Sequence, residues 1–125
     1  MNQILISLGS NMPCGKGNME SAIKKIRAKA TFARFSSIYD TDPIGKHKHA
    51  RYKNCVGQIH STEPFEYWHS FFKSLEIEMG RNELLRAQGD VPLDIDIVIW
   101  NEDVIRPRDL MADYLKEGLQ EIATQ

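Results

Sequence analysis

The sequence predicts an α+β fold in which helices pack on a mostly antiparallel sheet. Apolar segments with the two-residue alternation of strands are interspersed with segments whose apolar residues recur at the spacing of three and four typical of helices. Their order, roughly β-α-β-β-α-β-β-α, is that of an α+β sandwich. At 125 residues the chain is large enough for one hydrophobic core, so we expect residues 1–125 to form a single domain.

The first half of the chain predicts three strands and one helix. The apolar run 3–8 predicts a strand that stops at the turn-forming residues 9–11. Asn18 can cap the helix that follows. The helical spacing is carried by Met19, Ala22, Ile23 and Ile26. Residues 32–40 and 52–60 predict two further strands, separated by a break and a polar loop.

The second half begins with the clearest helix. Apolar residues recur at spacings of 3, 4, 3 and 4 from Phe65 to Met79. Thr62 is a plausible cap, Pro64 fits the first turn, and Gly80 is well placed to end the helix in a left-handed conformation.

Three further elements complete the chain. Residues 81–90 are polar and irregular, which predicts a loop. The apolar run 92–100 predicts a strand, and a short extended segment follows at 104–105. The last element is a helix predicted over Met111 to Ala123.

Composition excludes several classes of function. The net charge of −1 gives no global basic field that could recruit nucleic acid or an anionic membrane. Cys14 and Cys55 have neither metal-type spacing nor a disulfide framework, so we expect reduced thiols. No signal peptide or membrane span is apparent. We therefore expect a soluble cytoplasmic protein, monomeric or dimeric.

Two aspartates, Asp94 and Asp96, interrupt the apolar run 92–100. Because side chains alternate along a strand, both carboxylates should project from one face, with their Cβ atoms about 6.5–7 Å apart. The other face should then carry Leu93, Ile95, Ile97 and Ile99. Paired oxygen ligands suit Mg²⁺, which takes one or two protein carboxylates and completes its shell with water and phosphates. The alternative is the solvated outer face of an antiparallel sheet.

Five short motifs follow one another along the chain. They are G-S-N at residues 9–11, S-S-x-Y-x-T-x-P-x-G at 36–45, an aromatic two residues before an asparagine at Tyr52 and Asn54, E-x-x-x-G-R at 76–81, and L-D-I-D at 93–96. Each is weak alone. Together and in register, they resemble the family of 6-hydroxymethyl-7,8-dihydropterin pyrophosphokinases of folate biosynthesis, over residues 3 to about 110.

The resemblance implies a ferredoxin-like sandwich and a reaction that moves pyrophosphate from ATP, the co-substrate, to the pterin hydroxymethyl oxygen. It implies two Mg²⁺ ions held by Asp94 and Asp96, with Arg81 beside them in the catalytic set. The pterin set that it implies is Asn11, Thr41, Pro43, Ile44, Tyr52, Asn54 and, on a weaker match, Tyr114. The candidate nucleotide residues are Lys73, Glu76, Arg86 and Ile97.

Alternatives stay open for several of these residues. Asn54 can instead make a strand-end hydrogen bond, and Tyr114 can pack on the core at the start of a helix. Lys73 lies one turn before Glu76, so the two can face a shared cleft or form an ordinary surface ion pair.

The sequence departs from the family pattern on the nucleotide side. The family's W-G-P-R, which precedes the aspartate strand, is replaced by Gln88-Gly89-Asp90-Val91, and the segment containing V-P-H is shortened. Possible substitutes for the lost cations are Lys73, Arg81, Arg86 and Lys116. A second hypothesis is therefore a homologue that binds a pterin-like ligand or a partner without catalysis. A third is an unrelated α+β interaction module.

Overall fold

The computed structural model describes residues 1–41 and 52–125. This part of the chain contains six strands and five helices. In chain order they are β1 (Asn2–Ser10), α1 (Gly15–Lys29), β2 (Phe32–Phe35), β3 (Tyr39–Thr41), β4 (Tyr52–Ser61), α2 (Phe65–Glu78), α3 (Glu83–Ala87), β5 (Asp94–Trp100), β6 (Asp103–Val104), α4 (Pro107–Met111) and α5 (Asp113–Ala123).

All six strands join one antiparallel sheet, which confirms the predicted α+β class. The strand order is β2-β4-β1-β5-β6. β3 pairs with residues 52–54 of β4, and β2 pairs with residues 57–60 along the same edge of that strand. β1 is central, with β4 on one side and β5 on the other. β1, like β4, is hydrogen-bonded to neighbouring strands along both edges, which fixes its backbone on each side.

Helices cover both faces of this sheet. The larger apolar cluster lies between the sheet and helices α1 and α2, where Trp68 and Phe72 are fully buried. The smaller cluster joins α5 to the opposite face and consists of Val56, Val98, Leu115 and Ile122. α5 approaches β4 closely because residue 118 is glycine: a Cβ atom there would lie 2.4 Å from Cγ2 of Val56. No helix in the described ranges is long and apolar enough to cross a membrane.

A bulge changes the predicted face pattern of β5. Ile6 pairs with Ile97 whereas Leu5 pairs with Ile99, so Val98 is an extra residue between two ladder positions. Ile95 and Ile97 face the larger cluster as predicted, but Ile99 packs against the smaller one. The prediction that Ile99 shares their face is therefore wrong, because alternation restarts after the extra residue.

Several predicted boundaries also differ from the structure. Asn18 lies inside α1, which begins at Gly15, and its amide donates to the carbonyl of Pro92 at 3.0 Å rather than capping the helix. The cap of α2 is Pro64 rather than Thr62. Gly80 does adopt a left-handed conformation, with φ +108°.

The C-terminal half contains two helical segments where the sequence predicted other structure. The predicted loop 81–90 contains α3, whose Asn82 side chain accepts a hydrogen bond from the amide of Leu85. The last helix, predicted from Met111, begins at Asp113 as α5. Met111 instead ends α4, which the sequence did not predict and which the extended backbone of Ala112 (ψ 142°) separates from α5.

Candidate active site

A pocket of about 170 Å³ opens on the α5 face of the sheet. It is lined by Ser7, Gly9, Thr41, Tyr52, Asn54, Asp94, Asp96 and Tyr114. Six of these eight residues are site residues predicted from the sequence, and they come from β3, β4, β5 and α5. The other two, Ser7 and Gly9, belong to β1, and sequence reasoning did not select them individually.

The small residues of β1 form the floor of this pocket. Gly9 pairs with Asn54 on β4 and with Asp94 on β5, so the three lie in one row across the sheet. Two interstrand spacings separate the outer members of that row, about 10 Å. A Cβ atom on Gly9 would lie 3.2 Å from Oδ1 of Asn54, so glycine keeps room for the amide. The floor therefore holds an amide side and an acidic side at a fixed separation.

The acidic side consists of Asp94 and Asp96, which project from the same face as predicted. The pKa of Asp96 rises from 3.8 to about 7, first because burial removes water from the carboxylate, and then because it hydrogen-bonds with and is repelled by Asp94. Arg106 and Lys73 oppose this rise. A carboxylate pair with this electrostatic cost, one member largely buried and the other partly exposed, is a natural site for a cation.

Glu76 organises the basic residues next to the acidic pair. Its carboxylate is almost fully buried (2% exposed) and accepts hydrogen bonds from Nζ of Lys73 at 3.0 Å and Nη1 of Arg81 at 2.7 Å. It also accepts from the backbone amide of Ile95 at 2.8 Å, which ties α2 to the aspartate strand. The same Nη1 of Arg81 lies 3.2 Å from Oδ1 of Asp94. Lys73 and Glu76 are thus part of a contact network that includes Arg81 and the aspartate strand, and are not an isolated surface pair, but neither lines the pocket.

A further basic residue, Arg106, lies beside Asp96. Nη1 of Arg106 is 3.9 Å from Oδ1 of Asp96, and its Nε donates to the carboxylate of Asp109. Asp109 in turn hydrogen-bonds with Tyr114. Burial, followed by this hydrogen bond to Asp109, raises the pKa of Tyr114. Sequence reasoning missed both Arg106 and Asp109, because neither belongs to a motif and their stretch is polar without a period.

The amide side of the pocket is polar and partly enclosed. Asn54 is buried (8% exposed), and its amide donates to the hydroxyl of Thr41. Tyr52 lies next to them, and burial together with the negative charge of Asp94 raises the pKa of its phenol. Tyr114 closes the pocket from α5, and its carbonyl accepts a hydrogen bond from the hydroxyl of Tyr39 at 2.5 Å. The hydrogen bond predicted as an alternative for Asn54 therefore exists, and it points the side chain at the pocket.

Other candidate residues lie away from this pocket. Asn11 holds the segment before β5, donating to the carbonyl of Gly89 and accepting from the amide of Val91, each at 2.7 Å. The side chain of Ile97 belongs to the larger apolar cluster on the opposite face. Arg86 is exposed on α3.

Three of the site residues predicted from the sequence remain: Lys116 is exposed, and Pro43 and Ile44 lie outside the described residues. Lys116 is exposed on α5 beside Asp113, at 3.8 Å, which makes it a poor substitute for a lost phosphate-binding cation.

The donor set fits Mg²⁺ better than a transition metal. Within residues 1–41 and 52–125, no group of three or more His, Cys, Asp or Glu side chains could hold a metal ion. Two carboxylates beside an open cleft are instead what Mg²⁺ uses when substrate phosphates complete its shell. Asp94 and Asp96 are therefore the residues that could hold such an ion.

Comparison with known proteins agrees with this arrangement. A family model described as 7,8-dihydro-6-hydroxymethylpterin-pyrophosphokinase matches residues 5–124. The 2-amino-4-hydroxy-6-hydroxymethyldihydropteridine pyrophosphokinase of Bacillus subtilis is 32% identical over 118 residues, which cover 91% of this chain and 70% of that protein. The protein of the same name from Haemophilus influenzae is 29% identical over 104 residues, 81% of this chain and 64% of that one.

A folate synthesis bifunctional protein of Arabidopsis thaliana is 29% identical over 105 residues, which cover 82% of this chain but 22% of that protein. The chain thus matches one part of the plant protein and most of the Bacillus subtilis enzyme. The match to the family model, which spans nearly the whole sequence, shows that this chain belongs to the 7,8-dihydro-6-hydroxymethylpterin-pyrophosphokinase family.

Proposed function

We propose that this protein transfers a pyrophosphoryl group from ATP to the hydroxymethyl oxygen of 6-hydroxymethyl-7,8-dihydropterin, in a Mg²⁺-dependent step of folate biosynthesis. One observation carries the proposal: the amide side on β4 and the acidic side on β5 share one pocket, on the two strands that flank the floor strand β1. A flat heterocycle such as a pterin needs the hydrogen-bonding groups of the amide side, and a metal-bound polyphosphate needs the carboxylates of the acidic side. Family membership favours this hypothesis over a non-catalytic binding protein.

The pterin is held on the amide side. Asn54 offers a donor and an acceptor from one side chain, and Thr41 fixes its orientation. Tyr52 and Tyr114 supply the aromatic surfaces that a flat ring system packs against. The resemblance adds Asn11, Pro43 and Ile44 to this half.

The polyphosphate is held on the acidic side, where Asp94 and Asp96 would bind two Mg²⁺ ions. When bound, these ions neutralise negative charge on the transferring group. They are needed on charge grounds: among residues 1–41 and 52–125, four carboxylates (Glu76, Asp94, Asp96 and Asp109) outnumber the three cations in contact with them (Lys73, Arg81 and Arg106). A polyphosphate would otherwise be repelled.

The protein's own contribution to the reaction is positioning and charge. The hydroxymethyl oxygen loses its proton to solvent and forms a bond to the β-phosphorus of ATP, while the bond from that phosphorus to the α,β-bridging oxygen breaks and AMP leaves with this oxygen. Arg81 is held by Glu76 and Asp94 at the edge of the acidic side, where its remaining donors can contact the phosphates. Lys73 adds a second fixed cation. Arg86 and Ile97 complete the proposed nucleotide set.

The test follows AMP formation from ATP with the dihydropterin and Mg²⁺. We expect turnover by the wild type, a loss of at least 100-fold in Asp94→Asn, and little change in Asp113→Asn, whose carboxylate is fully exposed. Pterin binding, followed by fluorescence, should survive in Asp94→Asn. A wild type that binds the pterin but neither binds ATP nor forms AMP would establish the non-catalytic alternative instead.

Three features of the assembly stay predictions. We propose that residues 1–125 form one domain, because one sheet joins both halves of the chain. The cytoplasmic location and the monomeric or dimeric state rest on the sequence.

A further inference from the structure

We infer that Arg106 is a phosphate-binding residue of this site and supplies part of the positive charge that the segment 88–91 lacks. The inference rests on the proposed function, because it assigns the residue to the polyphosphate of the same reaction. Arg106 matches none of the five motifs, and its position became apparent only from the fold.

The backbone places Arg106 beside the acidic side. The carbonyl of Val98, the extra residue of the β5 bulge, accepts hydrogen bonds from the amides of Ile105 at 2.8 Å and Arg106 at 3.2 Å. Arg106 is then the N-cap of α4, and Pro107 fixes the first turn. The start of α4 is thus attached to the strand that carries Asp94 and Asp96.

The side chain is held in a geometry suited to a phosphate. Asp109 accepts from Nε, which orients the planar guanidinium, while Nη1 lies 3.9 Å from Asp96. That distance is longer than a hydrogen bond, so Arg106 faces the carboxylate without being tightly bound to it. The side chain is 48% exposed, whereas Asp96 and Asp109 are 16% and 17% exposed. About half of the Arg106 side chain is therefore exposed, next to one carboxylate that lines the pocket (Asp96) and one that orients the guanidinium (Asp109).

A polyphosphate on the acidic side would lie within reach of this guanidinium. Magnesium bridges protein carboxylates to substrate phosphates, so a phosphate that shares a cation with Asp96 lies near Arg106. Arginine binds phosphate through paired charge-assisted hydrogen bonds. The same position makes Arg106 a competitor of the metal ion in the absence of nucleotide, since both are attracted by Asp96.

These two roles predict that removing Arg106 weakens nucleotide binding without weakening metal binding. Removing Arg106 should weaken binding of the non-hydrolysable analogue α,β-methylene-ATP, measured by calorimetry with Mg²⁺, by about 10- to 100-fold. It should leave the affinity for Mn²⁺ alone, measured by electron paramagnetic resonance, unchanged or higher. A residue that merely supports the metal site would lower both affinities. Arg106→Lys, which keeps the charge but not the planar donors, should fall between wild type and Arg106→Ala.

Arg108→Ala is the matched control, because Arg108 is an exposed arginine on the same short helix. We expect it to bind the analogue within twofold of wild type. Pterin affinity should be unchanged in all three variants, which separates a phosphate contact from general loss of the pocket.

The outcomes separate this inference from the proposed function. If Arg106→Ala binds the analogue as wild type does, or Arg108→Ala is equally impaired, the inference is wrong even where AMP is formed. If wild type binds the analogue but forms no AMP, the proposed function fails while the comparison of variants still decides the role of Arg106. A wild type that binds no analogue overturns both.

Discussion

Asp96→Asn should stabilise the metal-free protein while removing its activity. The pKa of Asp96 is about 7 in the folded chain against an ordinary value of 3.8, so ionising this carboxylate opposes folding. Each tenfold change in proton affinity corresponds to about 1.4 kcal/mol, so the penalty is about 4 kcal/mol above pH 7. Asparagine keeps the shape, cannot ionise and can donate to Asp94. We expect the free energy of unfolding to rise by about 2–4 kcal/mol at pH 8.

The stability gained by Asp96→Asn should increase with pH. A folded-state pKa raised above the unfolded value favours folding of the protonated form. The penalty in wild type is therefore absent below about pH 4, grows between pH 4 and 7, and is constant above that range. At pH 5 the advantage of Asp96→Asn should be less than half of its value at pH 8.

Urea unfolding of EDTA-treated protein at pH 5 and pH 8 measures both quantities. Asp113→Asn is the control, because its carboxylate is fully exposed and its replacement should leave stability unchanged at either pH. Added Mg²⁺ should stabilise wild type more than Asp96→Asn. The reasoning is refuted if Asp96→Asn is no more stable than wild type at pH 8, or if its advantage is the same at both values of pH.

Two further substitutions test the supports of the pocket. Gly118→Ala should lower the free energy of unfolding by about 1–3 kcal/mol although alanine favours helices, because its Cβ would lie 2.4 Å from Val56 and push α5 outward. Urea unfolding measures the stability, and a pterin fluorescence titration measures the effect on the pocket. A variant as stable as wild type contradicts the packing argument. Glu76→Gln should cost about 2–4 kcal/mol, because one amide replaces a buried carboxylate that accepts from Arg81 and two other donors. The same unfolding assay measures it, and a loss below about 0.5 kcal/mol would mean that Glu76 does not organise these groups.

The parts of the fold that follow from local pattern were predictable. The apolar spacing of α2 and the left-handed Gly80 depend on residues close in sequence, and both were predicted. The exposure of Asp94 and Asp96 on one face follows from strand alternation alone. Ile99 was not predictable in this way, because the bulge at Val98 is defined by pairing with a distant strand.

The site was predictable where motifs mark it and not where the fold assembles it. Tyr52, Asn54 and the aspartate pair belong to motifs and line one pocket. Arg106 became a candidate only because a carbonyl of β5 holds the start of α4 beside Asp96, a contact without any local signal. Lys116 was a candidate from its charge, and helix geometry directs it to solvent.

The floor strand also has a consequence for how this protein can diverge. Gly9 sets the span between Asn54 and Asp94 through backbone ladders on both its edges, so that span does not depend on the loops around the rim. Rim segments such as 88–91 can therefore change in sequence and alter the affinity for each ligand, while the relative position of the two halves of the pocket stays the same. A single-residue insertion in β1 would do the reverse, breaking that alignment while leaving every rim residue in place.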